Sequence, residues 1–123
     1  MTVAMVILGG AIGAPLRYLT DLFVQSRHDS VFPWGTFTVN VVGSLVLGVT
    51  AALVVGLALP RWVPALFGTG LCGALTTFST FGFETVRLLE EGSLFTALAN
   101  CVASLVVSLG ACVGGYAVTA ALV

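Results

Sequence analysis

The sequence predicts an all-α integral membrane protein of four transmembrane helices, the third of them broken. Three observations predict it. Apolar residues fill 59% of the 123 positions, and Asp, Glu, Lys and Arg fill only 7%, against about 25% charged in a soluble domain. The mean hydropathy is +1.15. The few charges are clustered, leaving residues 1–16, 30–60, 62–83 and 92–123 free of any, and a spanning helix needs about 20 apolar residues. The chain is too apolar for an ordinary globular enzyme or a disordered tail. Its basic residues are four Arg with no Lys, which leaves no basic patch for nucleic acid. We read one membrane domain over residues 1–123, with spans near 2–24, 34–57, 63–86 and 95–121. The connections 25–33, 58–62 and 87–94 hold most of the charge, as loops between spans should.

The first span is read as a spanning helix rather than a signal peptide. It lacks a basic leading region, and Arg17 and Asp21 stand where a cleavage site would be expected. Its Gly9 and Gly13 are spaced for a close helix crossing, and Pro15 is expected to bend it. Arg17 and Asp21 are four apart and can pair on one face. Arg17 is either a snorkelling interfacial anchor or part of an entrance vestibule that attracts anions. The second span opens on Trp34, an interface-belt residue, and carries Asn40 about two turns inside. An amide at that depth needs partners: it either bonds another helix or lines a pore, offering its NH2 donors to an anion.

The third span departs most from an ordinary helix. Nine of the fifteen residues from Gly68 to Gly82 are Gly, Ser or Thr, a run with poor helix propensity and good capping potential. Breaking a helix inside a membrane exposes backbone polar groups, which is tolerated where they line a cavity or are buried in protein. Carbonyl ends at such a break suit a cation; hydroxyls and N–H groups suit an anion. Phe78 and Phe81 share a face beside the break, and aromatic ring edges carry positive partial charge. The fourth span stacks Asn100, Ser104 and Ser108 at i, i+4 and i+8, either a polar helix seam or a track along a conduit. Gly110, Gly114 and Gly115 follow as another close-packing surface. Cys72, Cys101 and Cys112 all lie inside spans with no CxxC, and His28 stands alone in a loop. The cysteines read as small apolar fillers rather than metal ligands or a disulfide framework.

Three motifs together resemble the CrcB/Fluc family of fluoride channels. They are Gly9-Gly10-x-x-Gly13-x-x-x-Arg17-Tyr18, Trp34-Gly-Thr36-x-x-x-Asn40-x-x-Gly43-Ser44, and Gly73-x-x-Thr76-Thr77-Phe78-Ser79-Thr80-Phe81 followed by Glu84. The resemblance covers essentially the whole chain, and the TTFSTF segment is its most specific part. It implies an antiparallel, dual-topology homodimer in the cell membrane that passively exports fluoride through two pores. It also implies a central sodium ion held by backbone carbonyls, here those of Gly73 and Thr76. Phe78 and Phe81 would present ring edges to fluoride, Asn40 would be the pore amide, and Ser104 and Ser108 the polar track. Thr77 would add a hydroxyl, Arg17 would stand near the vestibule, and Asn100 would sit where other members often carry Tyr.

The physics agrees with that implication. Fluoride is small and strongly hydrated, so many directed donors must replace its water. A ring of Lys or Arg would trap it, whereas conduction needs release. A small multidrug transporter of dual topology would need a deep carboxylate; the first span has none before Asp21. A proton-coupled fluoride antiporter would need a titratable gate, for which Glu84 is the one candidate. A purely structural subunit leaves the Thr/Ser/Phe cluster without a purpose, and an intramembrane hydrolase lacks a nucleophile–base pair, so the chain is not read as an enzyme. Orientation is weakly specified. With four spans, one side carries Arg61 and the other Arg27 and Arg87, a difference of one charge in the positive residues that set topology.

Overall fold

The computed structural model describes residues 2–27 and 31–123. The lone loop position assigned to His28 lies outside the described residues. Helix α1 spans Thr2–Arg27 and α2 spans Trp34–Leu57. A π-wound segment, Pro64–Cys72, then runs directly into the short α3, Gly73–Leu75; α4 spans Ser79–Glu90 and α5 spans Leu94–Leu122. Four helical stretches are long and apolar enough to cross a membrane, the third being the composite Pro64–Glu90. The expected all-α architecture with a broken third span is therefore present, and the chain is a multi-pass membrane protein.

Helix α1 continues three residues past the expected end at 24, into what had been assigned to the connection. The Arg27 guanidinium lies over the Phe23 ring, 4.8 Å from its centroid, so the last turn gains a cation–π contact where the helix leaves the apolar layer. Helix α2 begins after Pro33 and ends at Ala58, which takes a left-handed conformation (φ 50°). Pro60 follows and cannot continue the helix. The turn before α5 uses Gly92 at φ +80°, a conformation that glycine adopts without a Cβ clash.

Two long packings organise the chain: α1 lies along the π-wound segment, and α2 along α5. Both depend on glycine at the crossing. A Cβ on Gly9 would strike the Leu66 carbonyl oxygen, and one on Gly48 the Cys112 carbonyl oxygen. Backbone meets backbone there, the close approach that small residues allow between membrane helices. Gly115 also packs, its added Cβ falling 3.0 Å from the Leu45 carbonyl oxygen, but Gly110 and Gly114 face open space. Of the three glycines expected to form a close-packing surface at the end of the fourth span, Gly115 makes such a contact among the described residues. Much of the remaining surface is large and apolar, including Ile7, Phe83, Phe95 and Val113, as a lipid-facing or partner-facing surface requires.

The expected pairing of Arg17 with Asp21 does not form among the described residues. Asp21 instead accepts from Gln25 Nε2, at 3.1 and 3.2 Å to its two oxygens, and its carboxylate rests against Gly35 of α2. Gln25 is four residues from Asp21 in the opposite direction, so it competes for the same face. The ion pair among the described residues is Arg87–Glu91, 3.9 Å apart and exposed, a geometry that contributes little.

Candidate ion pathway

The break in the third span falls at residues 76–78. Thr76 is extended (φ −81°, ψ 157°), and α4 restarts at Ser79. In an uninterrupted helix Thr77 N–H would donate to the Gly73 carbonyl. Here it donates to Asn40 Oδ1 at 2.7 Å, while Asn40 Nδ2 donates back to the Thr77 carbonyl at 3.0 Å. One amide side chain therefore takes both backbone groups of Thr77 and holds the break open. The far side is capped by the same residue: Thr80 N–H donates to Thr77 Oγ1 at 3.2 Å, and Thr77 Oγ1 lies 3.1 Å from Thr80 Oγ1 and 3.3 Å from Ser79 Oγ. These bonds divert the donors that a continuous helix would give to the carbonyls of Gly73 and Thr76. Both carbonyls expected to bind sodium are thereby released from helical pairing. Gly73 is exposed, with open space where a side chain would point.

Beside the break lies a groove of about 490 Å³. Its lining brings together Asn40, Gly73, Thr76, Thr77, Phe78 and Phe81 with Ser104 and Ser108 of α5. Eight of the nine residues to which the resemblance assigns a place in the ion path, vestibule or sodium site meet there, and among the described residues none that lines it is charged. The ninth, Arg17, is half-buried on α1 and lies outside the groove. The Phe78 and Phe81 rings sit 5.8 Å apart at 42°, a tilted pair that can turn edges toward one locus. The Ser108 hydroxyl is buried without a hydrogen-bond partner among the described residues, so its donor is unspent. Cys72 and Cys112 also line the groove, and all three cysteines are free thiols.

The polar stripe on α5 divides. Ser104 and Ser108 reach the groove, whereas Asn100 is 1% exposed and turns toward α4. Asn100 Nδ2 donates to Thr85 Oγ1 at 2.9 Å, and its Oδ1 accepts from Ser104 Oγ at 3.2 Å. Thr85 Oγ1 in turn donates to the Phe81 carbonyl at 2.8 Å.

Sequence reasoning missed a second buried contact. Thr36 donates its hydroxyl to Glu84 Oε1, with Thr36 4% and Glu84 8% exposed. Glu84 also lines a smaller cavity of about 250 Å³ with Gln25, Arg87 and Trp34. The motifs contained both residues, but 48 positions separate them and no local spacing could join them.

The family described as CrcB-like protein, Camphor Resistance (CrcB), matches residues 4–116. Fluoride-specific ion channel FluC 1 of Streptomyces avermitilis is 58% identical over 112 residues, covering 90% of this chain and 90% of that protein. Fluoride-specific ion channel FluC 1 of Frankia casuarinae is 54% identical over 123 residues, covering 96% and 95%. Fluoride-specific ion channel FluC of a Shewanella species is 48% identical over 103 residues, covering 84% and 83%. The relation therefore extends through all four spans and includes the broken one. This chain belongs to the CrcB family.

Proposed function

We propose that this chain is a fluoride-specific ion channel of the cell membrane that lets fluoride leave passively and so lowers its cytoplasmic concentration. The observation that carries the reading is the groove at the break: neutral donors and the Phe78 and Phe81 rings line it together, with no charged side chain among the described residues that do so. Fixed cations would bind fluoride too tightly to release it, whereas neutral donors offset its dehydration in small steps. Ser108 contributes an unspent hydroxyl, and Asn40 retains one amide hydrogen beyond the one given to Thr77. The rings of Phe78 and Phe81 supply positive edges, and Ser104 and Thr77 line the same passage. Arg17, outside the groove, attracts anions toward the membrane edge. The relatives named above carry fluoride-specific channel names, which supports the same reading, and the chain acts as a conduit rather than an enzyme.

Two protomers are needed in this proposal. Phe78 is 82% exposed in the protomer, and the groove is open on one side, so a second copy would close it. An antiparallel homodimer would bring the two breaks together about a two-fold axis in the membrane plane. The Gly73 and Thr76 carbonyls released at each break fit a sodium ion shared at that axis, since half-helix C-terminal ends and unwound carbonyls suit alkali cations. When bound, sodium would supply fixed positive potential at the dimer centre and tie the protomers together. The near balance of Arg27 and Arg87 against Arg61 supports insertion in both orientations.

Passive conduction is tested in liposomes under a set voltage. Fluoride efflux should follow voltage and the fluoride gradient, and persist with no pH gradient. Strict coupling to proton countertransport would instead favour an antiporter gated at Glu84. Topology is tested by single cysteines placed at residues 27–30 on a background lacking Cys72, Cys101 and Cys112. Labelling should occur partly from each side of the membrane, and labelling from one side only would contradict the antiparallel dimer.

A further inference from the structure

We propose that Asn100 is a positioning residue for the ion path, bracing the half-helix that carries Phe81 and setting the direction of the Ser104 hydroxyl. The inference rests on the channel reading for its consequence, and on hydrogen-bond geometry for its substance. A relay runs from α5 into α4: Ser104 Oγ donates to Asn100 Oδ1, Asn100 Nδ2 donates to Thr85 Oγ1, and Thr85 Oγ1 donates to the Phe81 carbonyl. Every donor in that relay faces one acceptor, so its direction is fixed by counting. Thr85 has one hydroxyl proton and commits it to Phe81; it can therefore only accept from Asn100. Ser104 has one proton and commits it to Asn100, so toward the groove it presents lone pairs.

Two consequences follow for the path. Phe81 lies in the first turn of α4, directly after the break, where neither the π-wound segment nor α3 continues to hold it. Asn100, 1% exposed, bonds Thr85 one turn further along α4, and the Thr85 hydroxyl holds the Phe81 carbonyl, so through Thr85 it sets the placement of the Phe81 ring relative to Ser104 and Ser108. The two serines also differ. Ser108 has its proton free for an anion, whereas Ser104 must first give up its bond to Asn100. An anion moving along α5 therefore meets a strong donor at Ser108 and a reluctant one at Ser104. That asymmetry favours transfer between the two positions over trapping at either, as conduction requires.

Thr85 provides the discriminating variants, because Thr85→Val keeps the shape and removes the hydroxyl, whereas Thr85→Ser keeps the hydroxyl. Purified wild type, T85V, T85S, N100L and the T85V/N100L double variant are compared in two ways. Fluoride efflux is measured from liposomes, and ¹⁹F NMR is recorded on protein with 4-fluorophenylalanine at position 81. The relay predicts efflux about three- to tenfold lower in T85V and in N100L, from loss of the part-buried Asn100–Thr85 hydrogen bond that both substitutions break. The double variant should be no worse than the poorer single variant, and T85S should be close to wild type. The ring resonance should shift or split in T85V and N100L and stay in place in T85S. Additive losses in the double variant, equal loss in T85S and T85V, or an unmoved ring resonance in N100L would each overturn the proposal. Because the NMR comparison does not depend on flux, a wild type that conducts no fluoride yet shows the predicted resonance changes would sustain the brace and contradict the channel reading.

Discussion

Replacing Asn40 with leucine is expected to lower fluoride efflux by one to two orders of magnitude. The side chain does two things at once. Its Oδ1 and Nδ2 hold both backbone groups of Thr77, and it lines the groove with one amide hydrogen beyond the one given to Thr77. Leucine removes the donor and leaves the Thr77 N–H and carbonyl seeking new partners, at about 1–3 kcal/mol for each buried group left unpaired. In a continuous helix the partner of Thr77 N–H would be the Gly73 carbonyl, four residues back. Closing that bond would begin to heal the break and would withdraw a carbonyl from the proposed sodium site. The loss converts to flux at about 1.4 kcal/mol per factor of ten, which sets the expected range. Efflux is measured with a fluoride electrode on protein whose size-exclusion profile matches wild type. Wild-type efflux from such protein would remove Asn40 from the pathway.

The second large effect is expected at the two rings. Phe78→Ile and Phe81→Ile keep apolar bulk while removing the aromatic edge, and each should reduce fluoride efflux severalfold to about tenfold, given about 0.5–1.5 kcal/mol for an oriented aromatic contact. The two positions should differ in what else they disturb. Phe81 lies in the first turn of α4, with its carbonyl held by Thr85, so its replacement should leave the backbone in place. Phe78 stands in the break itself and is largely exposed in the protomer, so its replacement should also weaken association of two copies. Efflux and oligomer mass measured on the same preparations separate the two. Unchanged efflux in both variants would show that ring edges do not face the ion.

The sequence made the architecture legible because water and lipid sort residues differently. Nine charges in 123 residues must sit where the chain leaves the hydrocarbon, so they mark the connections without any knowledge of packing. The break was legible for a related reason: nine Gly, Ser and Thr residues in fifteen leave a helix without stabilising side chains and supply local substitutes for its backbone bonds. Its winding was not legible. Composition cannot distinguish a π-wound turn from an α turn, and the segment Pro64–Cys72 lies along α1, where Gly9 lets the two backbones touch. That contact spans some 60 residues of sequence and leaves no local mark.

The candidate site was legible as a set of residues and illegible as a set of bonds. Asn40 stood out because an amide deep in a span demands partners, but its partner, the Thr77 backbone, is 37 positions away. The spacing of Asn100, Ser104 and Ser108 correctly placed three polar groups on one face. Spacing alone could not show that Asn100 turns to Thr85 while Ser104 and Ser108 reach the groove, because that division depends on where α4 packs. Arg17 and Asp21 were correctly spaced for a pair, but Gln25 satisfies the same spacing and takes the carboxylate. Helical periodicity defines which groups can meet; competition among neighbours decides which do.

The central claim is that an uncharged groove at a broken helix conducts fluoride selectively. Its most direct test is parallel measurement of fluoride and chloride efflux from liposomes holding the purified protein, with each anion given the same gradient and voltage. Rapid fluoride efflux with chloride retained is the predicted result. Comparable efflux of both anions, or retention of both by folded protein, would contradict it.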